Sequence, residues 1–328
     1  MRRRDVLAGL GATAVAWPAR AQDGRMRRLG ILMGGRGASD PEGQARLAAV
    51  RAGLAEHGWT EGRNLEIELR WAAGDLGRIK AAAAEIVALK PDVILANATP
   101  AIGALIEVTK TIPIVFAQIV DPVGLGYVTS LARPGGNVTG FTFVDLDFIR
   151  KWPEVLRELA PGLDRAALLF NPATTPFYAG FLQTLEASRQ PGQVPFVAAP
   201  VARLEDLESV VADVASHAGA GLVIPPNPLI GAHRGRVAAL ATRHRLPSIA
   251  VYREYAPDGG LMSYGPNSLD IFRRSTNYID RILRGADPGE LPVQAPVTYE
   301  LVVNGRTARE LGLAIPPSIL ARADEVIE

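Results

Sequence analysis

The stretch that decides the fold is residues 91–116, which read PDVILANATPAIGALIEVTKTIPIVF. Val93–Ala96 and Ile112–Phe116 are short apolar runs typical of buried strands, and the spacing of Ala101–Thr109 between them predicts a helix. Strands that alternate with helices of this length predict a parallel, doubly wound sheet.

The same alternation extends on both sides of this stretch. Before it, the chain predicts strands over 29–33 and 64–70 and helices over 42–57 and 75–89. The pattern then starts again, with strands over 165–170, 194–199, 221–224 and 248–251 and helices over 146–160, 175–188, 203–217 and 231–244. The predicted fold class is therefore α/β, with two doubly wound parallel-sheet lobes.

Composition excludes several classes of protein. The chain has 328 residues, enough for two domains, and 48% of them are apolar, which is typical of a packed globular protein. Residues 1–21 hold four arginines and one aspartate, so 31 of the 35 basic and 33 of the 34 acidic residues lie beyond them. This balance gives no electrostatic reason to expect nucleic-acid binding. Because there is no cysteine, disulfides, thiolate metal sites and an N-terminal lipid-bearing cysteine are excluded.

The N-terminus predicts export. Arg2–Arg4 precede an apolar run over Val6–Trp17, and Pro18–Ala21 ends in an A-x-A cleavage pattern. The run is too short to span a bilayer, and Arg3-Arg4 fits a twin-arginine signal. We therefore expect residues 1–21 to be cleaved near Ala21-Gln22, leaving a periplasmic protein that is not embedded in the membrane. The alternative is an amphipathic surface segment that begins the fold.

No pattern of catalytic or metal-binding residues is present. The histidines at 57, 217, 233 and 244 have no metal-ligand spacing, and there is no G-x-S-x-G elbow. The glycines at 34, 35 and 37 do not form a dinucleotide or P-loop motif, so no cofactor is expected. Asp145 and Asp147 suit the start of a helix better than acid–base chemistry.

Candidate ligand-binding residues follow from the rule that open α/β sheets bind ligands beyond the carboxyl ends of their strands. The rule selects ten residues: Gly34, Gly35, Asn97, Thr99, Gln118, Asp121, Asn171, Asn227, Tyr252 and Tyr264.

These residue types suit a small zwitterion. Thr99 at a helix N-cap and the backbone amides of the glycine loop at 34–37 could hold a carboxylate, and Asp121 could hold an ammonium. Arg36 could pair with a carboxylate or be solvated. Tyr252 and Tyr264 could pack against an apolar or aromatic ligand.

Each candidate also has a purely structural interpretation. Thr99 would then only cap its helix, and Asp121 would cap the turn or helix that starts near Val123. The tyrosines would pack at the rim of the core, and Asn227, between two prolines, would only end its strand.

Several segments together resemble one family, the substrate-binding proteins of an ABC importer group often described as tryptophan- or aromatic-amino-acid-binding-like. The matching segments are Met1–Leu7, Lys90–Ile94, Thr111–Phe116, Asp121–Gly140, Tyr299–Asn304 and Ile315–Glu328. The resemblance implies a type I periplasmic-binding fold, in which three segments near 137–143, 260–264 and 298–303 form the hinge. It implies a first lobe of residues 27–142 plus 264–299 and a second of residues 143–263 plus 300–328.

The resemblance implies that this is the periplasmic solute-binding component of an ABC importer. It would capture a small ligand, such as an amino acid, by lobe closure, work as a monomer with a permease and an ATPase, and have no enzymatic activity. The alternative is a periplasmic sensing subunit that docks on a receptor. An intracellular regulator would need a DNA-binding segment, where this chain has an export signal.

Overall fold

The computed structural model describes residues 25–328, so the signal peptide predicted for residues 1–21 lies outside the described residues. The first of two sheets has five strands in the order β2-β1-β3-β4-β5, and every neighbouring pair is parallel. Its strands are β1 (Arg27–Met33), β2 (Leu65–Trp71), β3 (Val93–Asn97), β4 (Ile114–Ile119) and β5 (Val138–Thr142).

Four helices cover the first sheet: α1 (Pro41–Glu56), α2 (Leu76–Ala88), α3 (Thr99–Val108) and α9 (Ser268–Leu283). Asp40 caps α1, because its Oδ1 accepts the backbone N–H groups of Glu42 and Gly43. Helix α9 returns from the far end of the chain to pack against α1. The first lobe is therefore completed by a distant segment.

The second sheet has seven strands in the order β12-β11-β10-β9-β8-β6-β7. They are β6 (Arg165–Phe170), β7 (Phe196–Pro200), β8 (Ala220–Ile224), β9 (Ser248–Ala250), β10 (Met262–Pro266), β11 (Tyr299–Asn304) and β12 (Glu325–Ile327). The helices of this half are α4 (Leu146–Leu159), α5 (Tyr178–Ala187), α6 (Leu207–Ala215), α7 (Pro228–Ala232), α8 (Arg234–Arg243), α10 (Gly305–Glu310) and α11 (Pro317–Leu320).

The predicted two-lobed α/β class is confirmed, with three differences in detail. The pair β10–β11 is antiparallel, so the second sheet is mixed. The helix predicted over 231–244 is two helices, α7 and α8, which meet at His233. Helix α9 was not predicted, although Ile271, Ile279 and Ile282 have the spacing of one buried helical face.

The chain passes between the two sheets after β5, after β10 and before β11. Pro266 still pairs with Tyr299 in the second sheet, so the predicted lobe boundaries at 264 and 299 lie slightly inside that sheet. Trp152 of α4 is fully buried at this junction and donates its Nε1–H to the carbonyl oxygen of Tyr264, 2.8 Å away. No helix within residues 25–328 is long and apolar enough to cross a membrane.

Candidate functional site

The carboxyl ends of strands from both sheets meet around a small closed cavity of about 20 Å³, room for about one water molecule. The first lobe lines it with Gly35, Arg36, Arg46, Asn97, Ala98, Thr99 and Gln118, and the second with Thr175, Pro226, Asn227, Pro228, Gly231 and Tyr252. The rule that ligands bind beyond strand ends therefore leads to a real cleft between the lobes.

Six of the ten predicted residues line this cavity: Gly35, Asn97, Thr99, Gln118, Asn227 and Tyr252. Gly34 lies directly beside it, where its N–H donates to Asn97 Oδ1 at 3.0 Å. A Cβ atom on Gly34 would lie only 2.7 Å from the backbone oxygen of Asn97. Strands β1 and β3 can therefore approach this closely at the cleft only because residue 34 is glycine.

The predicted role of Thr99 as a helix cap is wrong. Helix α3 begins at Thr99 itself, and the cap position is Ala98, which has φ +74° and no side chain that can accept a hydrogen bond. Asn227 is the residue that caps a helix at the cavity, because its Oδ1 accepts the N–H of Ile230 at 3.0 Å. Its Nδ2 donates to Thr175 Oγ1 at 2.7 Å, so the asparagine is held rigidly.

Asp121 and Tyr264 lie outside the cavity, in a separate groove of about 870 Å³ beside the hinge. The Asp121 side chain is exposed, and its Oδ1 accepts the N–H of Gly124 at 2.9 Å. With φ +46°, Asp121 adopts the left-handed conformation that aspartate tolerates in turns. The structure thus supports the turn interpretation of Asp121. Tyr264 packs against Phe148, with ring centroids 4.9 Å apart.

Asn171 is also absent from the cavity lining. Its Nδ2 donates to the carbonyl oxygens of Val201 and Ala202, at 2.7 and 2.9 Å, and its Oδ1 accepts the N–H of Thr174. These bonds tie the ends of β6 and β7 together. Tyr255 is buried in the core of the second lobe and donates to Ser248 Oγ at 2.8 Å. Both side chains are structural.

Sequence reasoning missed Arg46, which lines the cavity, and its buried ion-pair partner Glu254. They and Arg36 are only 1%, 4% and 2% exposed. The Arg46 Nη2 atom lies 2.8 Å from Glu254 Oε1, and the Arg36 Nη2 atom lies 3.6 Å from the same oxygen. Two buried guanidinium groups therefore share one carboxylate. The sequence did contain a sign that Arg46 is buried. It stands four residues before Val50, and residues four apart lie on the same face of a helix, here the apolar face of α1.

A second ion pair extends this group across the cleft. Arg234 of the second lobe donates to Asp40 Oδ2 at 2.8 Å, and the Arg36 Nη1 atom lies 3.6 Å from that same oxygen. Arg36 also donates to the carbonyl oxygen of Gly231 at 3.1 Å. We refer to Arg36, Asp40, Arg46, Arg234 and Glu254 as the interlobe charge cluster. Its contacts join residues of the two lobes directly.

Burial and mutual contacts shift the protonation equilibria of this cluster. Burial raises the pKa of Glu254, but the charges of Arg46 and Arg36 outweigh it, and the pKa is lowered overall. Burial, together with the neighbouring charge of Arg46, lowers the pKa of Arg36. Glu254 is therefore stabilised in its ionised form, and the positive charge of Arg36 is disfavoured by burial and by Arg46.

The ring of Tyr252 orients the two arginines. The guanidinium carbons of Arg36 and Arg46 lie 4.9 and 5.3 Å from its centroid, within the range of cation–π contacts. Phe143 stacks on the same ring at a centroid distance of 5.2 Å. Because Tyr252 already has these partners, its main role in the closed form is to position the arginines.

Three buried polar atoms of the lining residues have no hydrogen-bond partner within residues 25–328: Arg36 Nη2, Arg46 Nε and Gln118 Oε1. Buried polar atoms are normally paired, so two unpaired donors and one unpaired acceptor in the same lining are the feature expected of a polar binding site. Within the described residues no group of three or more His, Asp and Glu could hold a metal ion.

Two α/β lobes, joined by three chain crossings and closed over a polar cleft, define a type I periplasmic-binding architecture. The family model described as "ABC transporter substrate binding protein" matches residues 39–327, and the chain belongs to this family. The family consists of solute-binding proteins, so this protein is not an enzyme.

Three relatives of this chain are informative. The "Tyrosine-binding protein" of Clostridioides difficile is 25% identical over 270 residues, which cover 82% of this chain and 77% of the relative. A conserved domain protein of Vibrio cholerae is 27% identical, with a TM-score of 0.84 over 92% of this chain and 100% of that one. An ABC domain of Streptococcus pneumoniae in complex with L-Trp is 25% identical, with a TM-score of 0.82 over 92% of this chain and 99% of that one.

Proposed function

We propose that this protein captures an amino acid, most simply an aromatic one, in the cleft between its lobes and delivers it to an ABC importer. The observation that carries the proposal is the polar cavity lined from both lobes, where buried donors and an acceptor have no partner among residues 25–328. The amino-acid class is supported by the relatives, one a tyrosine-binding protein and another bound to L-Trp.

Lobe closure is the mechanism that this geometry favours. The cavity holds about one water molecule in the closed form, which is far too little for an amino acid. A ligand therefore enters when the lobes separate and stabilises closure by contacting both of them. The interlobe charge cluster provides closing contacts of its own, so the closed form is accessible before the ligand binds.

Export and the membrane partners belong to the same proposal. The twin-arginine pattern at Arg3-Arg4 and the cleavage pattern ending at Ala21 support delivery to the periplasm. There the closed protein would dock on a permease that works with an ATPase. The closed surface, which spans both lobes, would distinguish the loaded form from the empty one.

A thermal-shift screen tests the binding function. The protein is unfolded and refolded to remove any ligand that it carried through purification, and is then heated with single amino acids, sugars, nucleosides or short carboxylic acids. A ligand at 100 times its Kd adds about 2.7 kcal/mol to the free energy of unfolding, which raises Tm by several degrees. We expect this shift with L-tyrosine or L-tryptophan. A panel without any shift would contradict the proposed function.

A further inference from the structure

We propose that the cleft holds its ligand by the carboxylate, which binds to the guanidinium groups of Arg36 and Arg46, and that the ligand's amino group is secondary. This inference rests on the proposed function, because it concerns the ligand of the same cleft. It replaces Asp121 as the charged residue that recognises the ligand.

The charges around the cavity support an anionic guest. Arg36 and Arg46 share the single carboxylate of Glu254. Asp40 lies 3.6 Å from Arg36, but its shorter contact, 2.8 Å, is with Arg234. The lining itself contains two arginines and no acidic residue. A ligand carboxylate would place a negative charge in a lining that has two positive side chains and none of the opposite sign.

The remaining carboxylate near this pair does not supply that charge. Glu42 lies beside Glu254 and is half buried, and burial together with the negative charge of Glu254 raises the pKa of Glu42. A carboxyl group with a raised pKa is a weak counter-ion, because its neighbours disfavour its ionised form. Glu42 is therefore a weaker counter-ion for the arginines than Glu254.

The free donor atoms are suited to a carboxylate. Arg36 Nη2 and Arg46 Nε are both buried and both without a hydrogen-bond partner among residues 25–328. A carboxylate has two oxygens and accepts charge-assisted bonds from guanidinium groups with good geometry. The ring of Tyr252, 4.9 and 5.3 Å from the two guanidinium carbons, keeps these donors in place. The arginines are thus oriented before the ligand arrives.

The amino group finds a weaker partner. Among the lining residues, the buried acceptor without a partner is Gln118 Oε1, a neutral amide oxygen. Gln118 is held with φ +63° while its Nε2 donates to Ser268 Oγ at 2.7 Å. Because the Nε2 bond fixes the amide group, the position of Gln118 Oε1 is also fixed. An ammonium group can donate to it, but the amide carries no charge to offset the ammonium's loss of water.

The experiment is a titration of the refolded wild-type protein by calorimetry with matched ligands. L-tyrosine is compared with 4-hydroxyphenylpropionate, which lacks the amino group, and with tyramine, which lacks the carboxylate. The tryptophan set uses indole-3-propionate and tryptamine. We expect loss of the carboxylate to weaken binding by at least about a hundredfold and loss of the amino group by about tenfold or less.

A variant tests the residues themselves. Arg36→Gln should weaken binding of the amino acid and of the propionate by at least about thirtyfold, because it removes one of the two charged donors. The control is Arg51→Gln, an arginine of helix α1 in the same lobe whose half-exposed side chain pairs with Glu61 at 3.0 Å. This control should bind as the wild type does. Circular dichroism and Tm of both variants verify that they are folded.

The outcomes separate the inference from the proposed function. If tyramine or tryptamine binds as tightly as its parent amino acid, or if folded Arg36→Gln keeps full affinity, the carboxylate inference is overturned while amino-acid binding stands. If none of the six compounds binds, the proposed function fails and the inference fails with it. The expected ranking, with amino acid and propionate well above amine, supports both.

Discussion

Replacement of Glu254 by glutamine tests whether the interlobe charge cluster holds the lobes together. The change removes the carboxylate that Arg46 contacts at 2.8 Å and Arg36 at 3.6 Å, and it leaves two positive side chains that are 1% and 2% exposed. Loss of one partner from a buried ion pair costs about 3–5 kcal/mol. The cost arises because the remaining charge stays buried without compensation.

The protein can avoid this cost by opening. Arg36 and Arg46 belong to the first lobe and Glu254 to the second, so separation of the lobes exposes the arginines to water without unfolding either lobe. We therefore expect Glu254→Gln to shift the closed-to-open equilibrium by about a hundredfold or more, since each 1.4 kcal/mol is a factor of ten. The Tm should fall by much less than it would if the whole cost of about 3–5 kcal/mol were lost from the free energy of unfolding.

Small-angle X-ray scattering of the ligand-free protein measures this opening. The Glu254→Gln variant should have a larger radius of gyration than the wild type, and saturating ligand should reduce the difference. Glu61→Gln is the matched control, because its half-exposed pair with Arg51 is worth at most about 1 kcal/mol and lies within one lobe. Equal scattering curves for Glu254→Gln and wild type, at similar Tm, would refute the idea that this cluster controls closure.

Three further outcomes are expected. The pKa values of Glu254 and Asp40 are lowered because their arginine partners outweigh the opposing effect of burial. The two ionised carboxylates therefore stabilise the folded protein fully above their usual pKa values of 4.5 and 3.8. This stabilisation is lost as the pH falls through the lowered values. Scattering and Tm measured below about pH 4 should show opening and loss of stability in the wild type, and a smaller change in Glu254→Gln. Asp121→Ala should lower stability by about 1 kcal/mol through loss of its turn hydrogen bond and leave ligand affinity within about twofold, and a tenfold loss in calorimetry would restore Asp121 as a ligand contact. Trp152→Ala should cost about 3–5 kcal/mol and lower Tm by about 10 °C, because a fully buried ring and its bond to Tyr264 are removed, and an unchanged melting curve would contradict this.

The sequence by itself determined the order of most strands and helices, although α9 was not predicted. Apolar periodicity records which face of each element is buried, and burial of that kind is a local property of the chain. The strand predicted over 165–170 is observed as Arg165–Phe170, and the one predicted over 93–96 is observed as Val93–Asn97. Strand ends then located Asn97, Gln118 and Asn227 at the cleft, because parallel strands bring their carboxyl ends to one edge of a sheet.

Sequence reasoning was less successful for polar residues whose side chains form hydrogen bonds with the nearby backbone and not with a ligand. Asp121 and Asn171 follow strands as ligand contacts should, yet each is engaged nearby, in the turn to Gly124 and in the link between β6 and β7. A polar residue after a strand has the same appearance in sequence whether it faces the ligand or closes a loop. The direction of the side chain, which depends on the local backbone, separates the two cases.

Only the tertiary structure decided which charges meet in the cleft. Arg46 and Glu254 are separated by 208 residues, and neither stands in a motif that predicts the other. From the local sequence alone, each residue would be predicted to be exposed to solvent, since an isolated charge is normally exposed. They are buried because the hinge brings two lobes face to face, and the electrostatic cost of burial depends on that arrangement. Closure of the lobes thus determines the charge of the cleft, and with it the class of ligand that we propose for this protein.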